Sequence, residues 1–183
     1  MQRTFKMVSV IAALVPALAF AAGEPMVGGQ AMFRTRDIVD NAVNSADHTT
    51  LVAAVKVADL VATLKSAGPF TVFAPVNDAF ENLPEGTVET LLEPQNKATL
   101  AKVLTYHVVP GRFTAADLRK RVKAGKGTAA LETASGGTLW VMMNGESNLV
   151  IKDETGAVAQ ISTYDVLQSN GVIHVINRVV MPK

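Results

Sequence analysis

The 183-residue chain has no cysteine. That excludes disulfides, thiolate metal sites, cysteine nucleophiles and a lipid anchor on an N-terminal cysteine, so the fold must be held by its own core. Net charge is small: 17 Lys and Arg stand against 16 Asp and Glu. No long-range field draws nucleic acid or an anionic membrane to such a chain. Aromatic residues are only 5% of the sequence, too few for the stacking platform that single-stranded nucleic acids require. Phosphate loops are missing, because Gly28-Gly29 and Gly136-Gly137 lack the Lys-Ser/Thr sequel. There is no G-x-S-x-G elbow to place a serine nucleophile. EF-hand and zinc-ligand spacings are absent too, and neither a metal nor a cofactor is expected. Beyond Ala22 no apolar run approaches the ~20 residues of a membrane span.

What is present begins with Arg3 and Lys6, followed by the apolar stretch Val8 to Phe20 and the small-x-small triplet Ala19-Phe20-Ala21. Residues 1–21 read as a secretory signal peptide, which places the product in a periplasm or outside the cell, without a transmembrane anchor. Residues 22–36 carry Gly-Glu-Pro and Val-Gly-Gly with no clean period and read as a partly mobile N-terminal arm. One domain is expected over 37–183. Ile38, Val39, Ala42 and Val43, then Leu51, Ala54, Val55, Ala58, Val61 and Leu64, recur at helical spacing; Asp59 is a break and Gly68-Pro69 a stop. Phe70 to Ala74 predicts a buried strand, Asn77 a cap for the next helix, and Asp78 a favourable charge in its first turn. Tyr106 to Val109 has strand composition, and Thr114 to Asp117 has the form of a capping box. After Gly127, "TAALET", "TLWVMMN", "NLVIK", "AVAQIS" and "VIHVINRVVM" alternate with short Gly-containing turns. Helices first and strands last predict an α+β fold, with a mainly antiparallel sheet partly covered by helices.

Few residues offer chemistry. His107 and His174 each sit in an apolar run, without a clustered carboxylate or second histidine. They read as buried neutral imidazoles bonded through both nitrogens, since an unsatisfied core atom costs roughly 1–3 kcal/mol. His48, beside a helix start, reads as exposed. Asp153-Glu154 reads as a solvated turn, and Met142 and Met143 as packing residues on opposite strand faces. The basic run Arg119-Lys120-Arg121, with Lys123 and Lys126, reads as a solvated helix face.

Three segments in order, "FTVFAPVNDAF" (70–80), "TYHVVPG" (105–111) and "SNGVIHVINRVVMP" (169–182), resemble the fasciclin-like domain family. The resemblance spans about Arg36 to Lys183. Val76 stands where the family commonly has Thr and Asn177 where it commonly has Asp, which predicts local hydrogen-bond changes. The resemblance implies a β-sandwich-like wedge of mainly antiparallel strands with helices packed along one side. It implies a role in extracellular adhesion, without a cofactor, toward a protein or polysaccharide of a cell surface or matrix. Asn77, Asp78, Asn170, Gly171 and His174 fall on its structural hallmarks. Animal members are reported to bind partners through an Asp-Ile segment before the last hallmark; Asp165 and Val166 occupy that place. They are partner-binding candidates, together with Tyr106 and His107 of the central segment.

Two other functions compete with a non-enzymatic adhesion module. One is an extracytoplasmic small-ligand or carbohydrate binder, with Trp140, Tyr164 and Phe113 as stacking residues. The other is an enzyme, for which no assembled catalytic group is visible.

Overall fold

The computed structural model describes residues 24–183; the predicted signal peptide, residues 1–21, lies outside them. The arm is not a featureless lead-in. Strands β1 (Met26–Val27) and β2 (Gln30–Ala31) pair as a small hairpin, and Val27 and Met32 are buried in the helical core. Ala46 N donates to Gly28 O, which ties the hairpin to the main body.

The helical face predicted from 38 to 64 is divided among α1 (Ile38–Ala42), a 3-10 turn at Ala46–His48, α2 (Thr49–Val57) and α3 (Val61–Lys65). Asp59 marks the break before α3 with a left-handed φ of 61°. Strand β3 (Phe70–Pro75) leads into α4 (Asn77–Glu81), then α5 (Thr87–Leu92) and α6 (Lys97–Tyr106). Tyr106 therefore ends a helix and His107 caps it; only Val108–Pro110 forms the strand β4. The strand predicted from Tyr106 is corrected accordingly, because Leu100, Val103 and Leu104 carry the helical register up to Tyr106. Helix α7 (Ala115–Ala124) opens with the expected capping box between Thr114 and Asp117.

The remaining chain forms β5 (Thr128–Glu132), β6 (Thr138–Asn144), β7 (Asn148–Lys152), β8 (Val158–Gln168) and β9 (Gly171–Ile176). The last predicted strand is shorter than expected: it stops at Ile176, and Asn177 exchanges backbone and side-chain bonds with Gln160 instead. Together these strands make one seven-stranded sheet in the order β4-β3-β9-β8-β7-β6-β5. Every pairing is antiparallel except β3 with β9. The sheet curls until its edges nearly meet, where Ala134 N donates to Val108 O at 2.7 Å. The expected sandwich-like core is thus one sheet folded over on itself.

Period-two alternation sorts β3 between two cores. Val72 and Ala74 face the helices α1, α2, α3 and α6. Phe73 faces the interior of the curl with Leu118, Leu139, Ile151 and Ile176. All six residues of β9 are buried, as a central strand covered on both faces must be.

One cap assignment differs from expectation. Asn77 does not cap its own helix. Its Oδ1 accepts from Thr50 N at 3.1 Å and from Thr49 Oγ1, and its Nδ2 donates to Ala46 O, so it holds the start of α2. Asp78 is exposed in the first turn of α4, as predicted. Val76 takes the N-cap position of α4 and supplies no side-chain bond. Val76→Thr is expected to stabilise the domain by about 0.5–1 kcal/mol, read as a higher urea midpoint. An unchanged midpoint would mean that Val76 contributes as much by packing as the hydroxyl would by capping.

Candidate functional site

The two histidines of the hallmark segments are both enclosed. His107 is 2% exposed and His174 0%. His107 Nδ1 lies 2.8 Å from Val103 O, and its Nε2 accepts from Val180 N at 3.2 Å. A carbonyl must be given a proton and an N–H must find a lone pair, so His107 is the neutral Nδ1–H tautomer. His174 is the opposite tautomer: Nε2–H donates to Phe113 O at 2.8 Å and Nδ1 faces Asp165 N at 3.4 Å. Burial pushes both imidazoles below their ordinary value, His107 down to about 4. His174 also stacks on Phe73, with ring centres 5.7 Å apart, and meets the edge of Tyr164.

Tyr106 is equally enclosed. Its hydroxyl donates to Thr138 O at 2.7 Å and accepts from Glu154 N at 3.1 Å, and burial pushes it up to about 12. Tyr106 and His107 therefore join α6 to the 153–154 turn and to the C-terminal segment. Both side chains, expected among the partner-binding residues, are enclosed in the core and present no surface in this structure.

Asp153 is not solvated. It is 1% exposed, and its Oδ1 accepts from Thr155 N, Thr155 Oγ1 and Ala157 N while Oδ2 accepts from Met181 N. Glu154 accepts from Thr138 N and Lys183 N. The acidic pair pins the chain end across the sheet. His48 is also buried rather than exposed. Its Nδ1 lies 2.8 Å from Ser45 Oγ, and its Nε2 has no hydrogen-bond partner among the described residues.

Asp165 and Val166 lie at an irregularity in β8, where the register against β9 shifts between Thr163 and Val166. Asp165 has a left-handed φ of 55°, which Asp tolerates better than most residues. Its Oδ1 accepts from Ala115 N at 2.7 Å, so its carboxylate caps α7 from another element. Val166 is 1% exposed and packs in the helical core. The apolar half of the expected pair is thus corrected to a core residue, and the acidic half is largely engaged in holding a helix.

The exposed chemistry lies beside this bulge. Arg121 sits 4.2 Å above the Phe113 ring and Arg119 sits 5.6 Å above the Tyr164 ring. Arg119 also donates to Ser147 O, and Tyr164 Oη accepts from Leu149 N. Tyr164 meets His174 by its ring and Phe113 meets it by its backbone carbonyl, while Trp140 lines a separate depression with Lys152 and Lys183, so the three proposed stacking residues do not form one site. Among the described residues no group of three His, Asp or Glu could hold a metal, and no helix is long and apolar enough to cross a membrane.

Sequence reading missed the buried pair Asn41 and Gln168. Asn41 also exchanges two bonds with the Phe33 backbone. Its position three residues after Ile38, on the apolar face of α1, was the available signal. Asn170, noted only as a hallmark, proves to be a junction. Its Oδ1 accepts from Ile38 N, and its Nδ2 donates to Leu64 O and Ser66 O. Gly171 must be small because a Cβ there would lie 2.3 Å from Phe70 O of the parallel strand.

Comparison with known proteins agrees with this architecture. Protein sll1483 of Synechocystis sp. is 50% identical over 149 residues, which cover 79% of this chain and 73% of that one. Immunogenic protein MPB70 of Mycobacterium bovis is 32% identical over 169 residues, covering 89% and 78%. Among solved structures, a FAS1 domain pair from the insect cell adhesion molecule Fasciclin I superposes with a TM-score of 0.69 at 19% identity, over 80% of this chain and 51% of that one. The model of the Fasciclin domain matches residues 46–182. The curled sheet, the helical layer and these matches lead to one conclusion: the chain belongs to the Fasciclin domain family.

Proposed function

We propose that the protein is a secreted, non-catalytic interaction module that adheres to a protein or polysaccharide of a cell surface or matrix. Family membership supports a binding role, and the superposed domain pair comes from a cell adhesion molecule. The observation that carries the reading is the pair of arginine–aromatic stacks on α7, Arg121 on Phe113 and Arg119 on Tyr164. Arginine and tyrosine are enriched among the residues that dominate interface energies. Stacking also holds each guanidinium in place before a partner arrives, which lowers the ordering cost of binding. Lys120 and Lys123 are exposed on the same helix, so the partner surface is acidic.

In this reading Asp165 acts by holding α7. The test is attachment of the purified protein to envelope and matrix extracts. Arg119→Ala combined with Arg121→Ala should weaken attachment several-fold at an unchanged unfolding midpoint, and salt should weaken the wild type. Asp165→Ala should cost about 1 kcal/mol of stability, as a lost helix cap does, with attachment retained under folding conditions. Equal attachment by the double variant and the wild type would overturn the proposal.

A further inference from the structure

A second candidate site lies on the helical side of the sheet, away from the arginine stacks. A cavity of about 270 Å³ separates α1, α2 and α3 from β3, β4 and β9. Its walls are aliphatic and aromatic, with Val39, Leu51, Val55, Leu60, Phe70 and Ile173 among them. Packed interiors contain few voids larger than a water molecule, and a void lined this way does not hold water well. The volume is close to the lower end of the roughly 300–1,000 Å³ found for small-molecule pockets.

Thr105 and His107, polar residues of its inner wall, are already engaged. Thr105 Oγ1 donates to Ala101 O, and both nitrogens of His107 are taken. A sugar placed here would bury hydroxyls without partners, which is unfavourable. A hydrocarbon needs none. At about 30 Å³ for each water-sized group, the cavity holds a single chain of roughly nine methylenes, too little for two acyl chains.

The rim indicates the head group. Val43, an exposed residue of the lining, extends the apolar wall to the surface. Two lysines stand at the rim. Lys65 is held by the carboxylates of Asp37 and Asp40. Lys56 is exposed and has no ion pair among the described residues. The cavity therefore ends at a cation that is available to a ligand.

We infer that this cavity binds a medium-chain fatty carboxylate, with the alkyl chain between helices and sheet and the carboxylate at Lys56. Decanoate, kept below its micelle concentration, is the probe, titrated calorimetrically into the purified protein, with decanol as the uncharged control. Saturable binding of one decanoate per chain is expected, with a higher melting temperature by mass action. Val52→Phe, which places a ring in the cavity from a half-buried wall position, should abolish binding. Lys56→Glu, on the surface, should weaken decanoate several-fold and leave decanol unchanged. Absence of decanoate binding to the wild type would overturn the inference. So would binding that survives Val52→Phe in a folded variant, or a Lys56→Glu variant that binds decanoate as well as the wild type does.

Discussion

Asn170→Ala is expected to lower the stability of the domain by roughly 3 kcal/mol, the largest loss from any single polar substitution considered. Asn170 is 6% exposed and its side chain makes three bonds to backbone groups far away in the chain. Those groups are the ones a helix leaves without partners. Ile38 N begins α1, Leu64 O lies in the last turn of α3, and Ser66 O follows it. One amide thus caps the start of one helix and the end of another, next to the strand pair where Asn170 O accepts from Phe70 N. Alanine would leave a buried donor and two acceptors unsatisfied. Asn170→Asp should rescue little, because it keeps the acceptor for Ile38 N but turns a carboxylate toward two carbonyls. Urea midpoints measure the effect. The control is Asn44→Ala, which removes one exposed bond to Asp40 O and should cost within about 0.5 kcal/mol. Similar costs at both positions would show that the junction does not hold the helices to the sheet.

The second large effect is acid sensitivity at a mild pH. Desolvation by burial is the main cause that pushes His48, His107 and His174 below their ordinary value of 6.5, His107 to about 4. The unfolded chain then takes up protons near pH 6.5 that the folded chain refuses. The stability is fully present above about pH 6.5 and is lost as pH falls from there toward about 4, where the folded state protonates too. His107 alone accounts for roughly 3 kcal/mol over that window. The carboxylates of Asp37, Asp117 and Glu154 are lowered from ordinary values of 3.8, 3.8 and 4.5. Stability linked to them is present above those values and is lost only as pH falls further, so most of the histidine window lies above theirs. Denaturant midpoints should fall steadily between about pH 6.5 and pH 4.5. His107→Asn, which cannot titrate, should flatten that slope. A stability profile level across this window would show that the imidazoles are not buried in their neutral form.

The histidines illustrate what was legible in the chain. An imidazole within a run of valine and isoleucine has few options, and a buried one must satisfy both nitrogens. That argument correctly foresaw the enclosure of His107 and His174, but not that of His48. His48 stands between polar neighbours, Asp47 and Thr49, and its burial depends on the tertiary packing around the 3-10 turn. The same limit applies to Asp153. Its local sequence, Asp-Glu-Thr-Gly, is that of an exposed turn. The chain end folds back over it, bringing Met181 N to its carboxylate.

The partner-binding candidates differ for a related reason. Asp165 and Val166 were placed by resemblance, which aligns positions but not surfaces. In this chain the bulge in β8 turns Val166 into the helical core and lends Asp165 to α7. The arginine stacks needed two unconnected pairs, Phe113 with Arg121 and Tyr164 with Arg119, to meet through the fold. Nothing in the run Arg119-Lys120-Arg121 distinguished it from an ordinary solvated helix face.

The sequence alone therefore determined the α+β class, the helix-then-strand order, the capping box at Thr114 and the neutral burial of two histidines. These follow from periodicity, turn chemistry and the cost of unsatisfied polar atoms, all of which act locally. Tertiary structure decided the closure of the sheet, the junction at Asn170, the arginine–aromatic face and the aliphatic cavity. Each of these depends on groups distant in sequence meeting in space, and side-chain pattern along a single element carries no record of its distant neighbours.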